Sequence, residues 1–375
     1  MEPFKNAISP ELVSLVGQLI SRHVDGFDAD RFCHNVVNDL ESLELKARVA
    51  RVADALDQAL PKDWTTRGSI LLSMLHPDVE GGSNSESTQE GLRGWGIWPL
   101  THLVGCSGLG DLEGSLSLLR EMTKRGTSEF DVRPFIVADP DKALNIISSW
   151  ADDENLHVRR LVSEGTRPRL PWGIRLDVLV RDPSPMLPIL KRLRDDPSDY
   201  VRRSVANHLN DIAKDHPDLV AETAKVWLKD ASPNRERLIR HACRTLIKQG
   251  HPNTLEAFGY EEPRVATPSL RILTPSVTLG GTLDFEVELS SNCTRGQRLI
   301  VDYVVEHVKA NGTRSPKVFK WTTFELQPGA SHSLTRSHPM KPITTRRYYA
   351  GEHALRLRIN GRDFANEGFD LRLNH

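Results

Sequence analysis

HVRRLVSEG (157–165), YVRRSVANHL (200–209) and LIRHACRTLI (238–247) are three versions of one stretch. Arg160 to Arg203 is 43 residues and Arg203 to Arg240 is 37. Each copy follows an apolar-periodic run that ends in a polar turn: SSWADDENL, LKRLRDDPSD and VWLKDASPNRE. A helix, a polar turn and a second helix with arginine near its start, repeated at roughly 40 residues, is the pattern of a HEAT-like repeat. Such pairs stack into a solenoid with a concave face. Working outward, helical periodicity fills the chain back to its start. PELVSLVGQLISRHV places Leu12, Leu15, Val16, Leu19 and Ile20 on one face. Asp139-Pro140, Asp182-Pro183, Asp196-Pro197, His216-Pro217 and Gly250 punctuate the runs as helix starts and stops. EGGSNSESTQEG (80–91) reads as a loop.

Past residue 264 the period changes. After the Pro-containing PRVATPSL come alternating runs: Leu283, Phe285, Val287, Leu289; then Leu299, Val301, Tyr303, Val305; then Leu355, Leu357, Ile359. Gly280-Gly281, Asn311-Gly312, Pro328-Gly329 and Asn360-Gly361 mark turns between them. About seven strands are expected, an immunoglobulin-like sandwich. Only Cys293 lies in this part, so no disulfide links its sheets. The expected chain is multidomain: an all-α HEAT-like solenoid over 1–263, then an all-β immunoglobulin-like sandwich over 264–375.

Composition narrows the function. The 375 residues suffice for two domains, with 38% hydrophobic and 26% charged residues, as in ordinary globular proteins. No run of 18 apolar residues and no secretory leader is visible, so no membrane partner is expected. Cys33, Cys106, Cys243 and Cys293 form no metal-binding or disulfide spacing, which suits a reducing, cytoplasmic compartment. Taken as a total, the net charge of −1 argues against a nucleic-acid partner. Counted by segment it is a cancellation: −11 over 1–156, +5 over 157–203, −1 over 204–263 and +6 over 264–375. The two positive segments have the balance of a phosphate-facing surface, or of arginines paired along a repeat ladder.

HVRRLVSEGTRPRLPW (157–172), with KRGTSEFDVRPFI (124–136) and GLRGWGIWPLTHLV (91–104), resembles the AlkC branch of the AlkC/AlkD bacterial DNA glycosylases. The tail run RRYYAGEHALRLRINGR (346–362) is similar to the immunoglobulin-like domain of some AlkC members. The resemblance implies base-excision repair of alkylated double-stranded DNA, removing cationic N3-methylated bases such as 3-methyladenine and 3-methylcytosine. It implies a grip on the duplex without base flipping, and a monomeric, nucleoid-associated bacterial enzyme.

The chemistry sets the residue types to look for. Breaking an N-glycosidic bond develops positive charge on the sugar. A methylated cationic base leaves without a general acid, so carboxylates, a water and an aromatic face are needed, and no metal or cofactor. Glu121 is a first candidate; its alternative is an ion pair with Lys124 or Arg125. Glu164 is a second: it ends a helix, where the dipole disfavours a carboxylate, or it pairs with a neighbouring arginine. Glu129, after Thr127 and Ser128, contacts substrate or belongs to a helix start. In the AlkD branch a Trp-x-x-x-Asp pair supplies the key carboxylate. The similar run here is Trp98-Pro99-Leu100-Thr101-His102, which puts His102 in the Asp's place, as a hydrogen-bond partner of substrate or a packed histidine. Trp98 and Trp172 are the aromatic candidates, against ordinary anchoring burial; Trp150 and Trp227 read as core. Arg159, Arg160, Arg167, Arg169, Arg202, Arg203, Arg240 and Arg244 are the candidates for the phosphate grip, with Arg346 and Arg347 beside Tyr348 and Tyr349 in the tail. The competing class is a non-catalytic HEAT scaffold, or a DNA-binding protein without catalysis.

Overall fold

The structure, a computed structural model, describes residues 3–79, 85–344 and 346–373. Residues 80–84 of the loop read from the sequence lie outside these. The chain divides into two compact units, Met1–Asp215 and His216–His375.

The first unit is helical. Its helices run Pro10–Ser21, Ala29–Val37, Leu45–Ala59, Trp64–Ser73, Trp98–Ser107, Leu112–Met122, Arg133–Ala138, Pro140–Ser149, Leu156–Glu164, Asp177–Arg181, Leu187–Leu193 and Asp199–Ile212. Of the punctuation read from the sequence, Asp139 caps the helix it precedes, and further polar residues do the same. Ser9, Asp63, Asp111 and Asp139 each accept the backbone N–H three residues on, and Asn155 the one two residues on. Each such cap is worth about 1 kcal/mol. The apolar faces meet in a continuous core that includes Val16, Leu56, Leu71, Leu116, Leu119, Phe135, Ile147, Val158, Val162 and Val205, with Trp150 buried in it.

The repeat arginines explain how each helix is tied to the turn before it. Arg159 Nη1 donates to the carbonyls of Asp153 and Glu154, 2.9 Å each. Its repeat equivalent, Arg202, donates to the carbonyls of Asp196 (2.6 Å) and Pro197 (2.8 Å). Arg159 also forks onto Asp196, at 2.7 and 3.1 Å. Repeat-equivalent rings touch as well: His157 and Tyr200 meet edge to face at 5.7 Å.

The second unit starts with helices Pro217–Leu228, Pro233–Ala242, Arg244–Gln249 and Pro252–Ala257. Trp227 is buried among them. Strands follow where the period changes: β1 (Ser269–Ile272), β2 (Ser276–Thr278), β3 (Thr282–Ser290), β4 (Gln297–Val308), β5 (Arg314–Leu326), β6 (Ser331–Pro339), β7 (Gly351–Ile359) and β8 (Arg362–Arg372). They form two sheets, ordered β1-β3-β6 and β2-β8-β7-β4-β5. Pairing is antiparallel except β2 with β8. The alternating residues of β3, β4 and β7 fill the space between the sheets, with Met340, Phe369 and Leu371. Gly250 and Gly361, both left-handed at φ 77°, let the last helices meet the β7–β8 turn: a Cβ on Gly361 would lie 2.4 Å from Gly250 Cα.

Three histidines, His307, His338 and His353, are buried in this sandwich. His338 Nδ1 meets the Tyr303 hydroxyl at 2.9 Å. His307 packs edge to face on Tyr348 and His353 and faces Arg346. Burial, then Arg336, Arg346 and Lys317, pushes His338 down to about 4. Burial, then Arg346, His353, His338 and Lys317, pushes His307 down to about 3. A histidine kept neutral in the fold protonates first in the unfolded chain, near 6.5, so its stabilisation is complete above that pH and is lost as pH falls towards the folded value. Between pH 7 and pH 5 the expected loss is about 2 kcal/mol per histidine. Urea unfolding of the full chain at the two pH values measures it, and His338→Gln flattens the dependence.

Candidate active site

The helix Leu156–Glu164 delivers two residues of the site, one turn apart. Arg160 is the second arginine of the repeat pair; with Arg159 bound to the preceding turn, Arg160 points the other way, over the Tyr200 ring at 4.5 Å. Its Nη1 donates to Glu129 Oε2 at 2.6 Å and its Nη2 lies 3.6 Å from Glu164 Oε1. Glu164 is 6% exposed. Its Oε1 also accepts from Arg167 (2.7 Å) and its Oε2 from Ser204 (2.6 Å). Burial alone would raise the Glu164 carboxyl; Arg160, Arg167 and Ser204 outweigh it and hold the group below the usual carboxylate range. Arg167 is in turn held by Asp211 at 2.8 Å. The helix-end carboxylate disfavoured by the dipole is thus stabilised by two guanidiniums.

Glu129, 9% exposed, is positioned from the turn before the helix Arg133–Ala138. It does not cap a helix. Thr127 Oγ1 donates to its Oε2 at 2.6 Å, the atom that also takes Arg160. Among the described residues no hydrogen bond reaches Glu129 Oε1, so one lone-pair face of this carboxylate is available to a ligand.

Both carboxylates line a cavity of about 440 Å³ walled by Gly94, Trp95, Trp98, Thr127, Phe130, Arg167, Leu170, Pro171 and Trp172. That is ample for a purine ring. The aromatic wall is ordered: Trp98 stacks on Phe130 at 5.1 Å and meets Trp95 at 6.0 Å. Trp172, 59% exposed and left-handed at φ 67°, adds a further aromatic face to the wall. Carboxylates and π faces around one apolar space favour a cation, or a sugar becoming one.

The sequence candidates therefore divide. Glu129, Glu164, Arg160, Arg167, Trp98 and Trp172 come together. Glu121 does not: it is held by Lys124 (2.6 Å) and Arg125 (2.8 Å), which overcome its partial burial and lower its pKa. Of its two readings the structure shows the ion pair. His102 is not in the cavity wall either. Its Nδ1 lies 3.3 Å from Asp131 Oδ1, while Thr101 donates to Asp131 Oδ2 at 2.6 Å. The bond to Asp131 raises the His102 pKa against the effect of burial. Asp131, buried and unmarked in the sequence, thus supplies a carboxylate beside the Trp98–His102 run. Thr127, Phe130, Tyr200, Ser204 and Asp211 also went unnoticed; only Tyr200 carried a signal, its place in the YVRR repeat.

The phosphate-grip candidates divide as well. Arg159 and Arg202 are consumed by the turns they tie down, Arg167 by Glu164 and Asp211, and Arg169 by both oxygens of Asp215 (2.9 and 2.7 Å). Arg346 turns onto His307 and Tyr348. Arg203, Arg240, Arg244 and Arg347 are exposed. Arg159→Met leaves Asp196 buried without its cation and is expected to lower stability by about 3 kcal/mol. The salt slope of DNA binding should stay unchanged, as read by urea unfolding and filter binding across salt.

Comparison with known proteins gives a consistent picture. Residues 128–246 match the family model described as DNA alkylation repair enzyme, and 266–373 the one described as the C-terminal Ig-like domain of uncharacterised protein YhaZ. The chain is 37% identical to the uncharacterized protein YhaZ of Bacillus subtilis (strain 168) over 363 residues, 96% of this chain and 97% of that one. It is also similar to the Pseudomonas fluorescens alkylpurine DNA glycosylase AlkC, solved bound to DNA containing an abasic site analog. That match has a TM-score of 0.84 and 32% identity, and covers 99% of this chain and 100% of the other.

Proposed function

From a chain that belongs to the DNA alkylation repair enzymes, together with AlkC and YhaZ, and is a DNA glycosylase, we infer that it excises cationic N3-methylated bases, 3-methyladenine and 3-methylcytosine, from duplex DNA. The observation that carries this reading is the pair Glu129 and Glu164, bridged by Arg160 and facing one aromatic-walled cavity. The C1′–N bond breaks with its electron pair going to the base, which leaves neutral because it started as a cation. The sugar becomes oxocarbenium-like, and the carboxylates face that charge. Glu164, with every oxygen bonded, acts as a fixed negative charge. Glu129, with Oε1 open, takes the proton of the water that adds to C1′. Among the described residues that wall the cavity we assign none to protonate a leaving base, which restricts the reaction to lesions that need no such proton.

The cavity opens beside the exposed Trp172, and in our reading the lesion is approached in the duplex rather than turned fully out of it. Arg203, Arg240, Arg244 and Arg347 are the residues we assign to phosphates; such contacts position the protein without reading sequence, as repair requires. The test is base release from matched duplexes that hold 3-methyladenine or hypoxanthine. Rapid release of the first and none of the second supports the reading. Equal release of both would refute the dependence on a cationic leaving group.

A further inference from the structure

The mechanism above leaves one buried charge unused. Arg133 is fully buried at the start of the helix Arg133–Ala138. Burial, then the charge of Arg167, lowers its pKa to about 10, so it stays charged at neutral pH. Its Nε and Nη1 donate to three backbone carbonyls of one segment, Nε to Ile174 at 2.6 Å and Nη1 to Gly165 and Arg167 at 2.8 Å each, while the buried Nη2 has no partner among the described residues. Between the first and last of these carbonyls lie Arg167, Leu170, Pro171 and Trp172, four of the residues that wall the cavity. The segment is drawn tight at its far end: a Cβ on Gly173 would lie 3.2 Å from Arg133 Cδ and Nε. From the other side, the exposed Lys46 donates to the Trp172 carbonyl at 2.5 Å. Between these two cations Trp172 sits at φ 67°, a conformation that an aromatic residue adopts only where its surroundings impose it.

We propose that Arg133 is a positioning residue which, with Lys46, holds the Gly165–Ile174 segment so that the Trp172 indole is fixed at the cavity before DNA arrives. The clamp acts through backbone carbonyls. Its part in excision rests on the glycosylase reading; its part in holding Trp172 does not. Preorganisation of this kind changes the chemical step more than binding, because it sets where the aromatic face stands when charge develops on the sugar.

The test uses the full chain labelled with 5-fluorotryptophan. The resonance of Trp172 is assigned by its loss in Trp172→Phe. In Arg133→Met and in Lys46→Met the Trp172 resonance should shift or broaden while those of the buried Trp150 and Trp227 stay in place. Single-turnover release of 3-methyladenine should fall about tenfold or more in Arg133→Met, with the Kd for the damaged duplex within about threefold. A Trp172 resonance unmoved in both variants overturns the proposal, as does a moved resonance with release at the parent rate. Should Arg133→Met lose its fold, Lys46→Met, altered at an exposed side chain, decides alone: an unmoved resonance overturns the proposal. A parent chain that releases no base defeats the glycosylase reading instead, and the resonance of Trp172 still decides the clamp.

Discussion

Glu129→Gln lowers the single-turnover rate of 3-methyladenine release by about 10²–10³-fold while the Kd for damaged duplex stays within about threefold. The expectation follows from what each oxygen of Glu129 does. Oε2 accepts from Thr127 and Arg160, and Oε1 takes no bond from a described residue. A glutamine oxygen keeps the contacts at the Oε2 position, so the cavity keeps its shape. The charge that faces the oxocarbenium-like sugar is gone, and the amide nitrogen at the other position accepts no proton from water. An effect on kcat without one on binding is the signature of an interaction made in the transition state. The same substitution at Glu121 leaves release unchanged, since that carboxylate is engaged by Lys124 and Arg125 away from the cavity.

Arg160→Met has the second large effect, and on two observables. Its guanidinium is the cation shared by Glu129 and Glu164, both buried. Removing it leaves two poorly compensated carboxylates and an uncovered Tyr200 ring, with an expected loss of about 3–5 kcal/mol in unfolding free energy. The pH dependence moves as well. Glu164 is held low by Arg160 and Arg167 against its burial. With Arg160 gone, burial counts for more and the Glu164 pKa rises, so the acid limb of the release–pH profile shifts to higher pH. Urea unfolding and a single-turnover pH profile read the two effects separately.

The architecture was legible because its signals are periodic. The arginine repeat marked the helices Leu156–Glu164 and Asp199–Ile212, Asp139-Pro140 marked the start of the helix Pro140–Ser149, and the switch to alternation marked β3, β4 and β7. β5 and β6 were harder to read: their faces are mostly exposed or half-exposed, so no apolar alternation marks them. Half of the candidate site was legible for a related reason. Glu164 stood out as a carboxylate at the wrong end of a helix, and Trp98 and Trp172 as aromatics beside Gly- and Pro-rich runs. Glu121 misled because its sequence neighbours, apolar on one side and basic on the other, are the same for a catalytic carboxylate and for a surface ion pair. Only the fold decides, by turning Lys124 and Arg125 onto it. The pair of arginines in each repeat posed the same problem. One dipeptide holds a structural tie, Arg159, and the partner of Glu129 and Glu164, Arg160, and nothing in HVRR says which reaches those carboxylates. Asp131 and Arg133 were invisible because their partners, His102 and the carbonyls of the Gly165–Ile174 segment, are 29 to 41 residues away.

The most direct test of the account compares the parent with the double variant Glu129→Gln/Glu164→Gln on a duplex that carries one 3-methyladenine, with binding and base release followed in the same samples. The account predicts that the parent releases the free base, and that the variant binds the duplex and releases none above the spontaneous rate. Release by the double variant at the parent rate would contradict it.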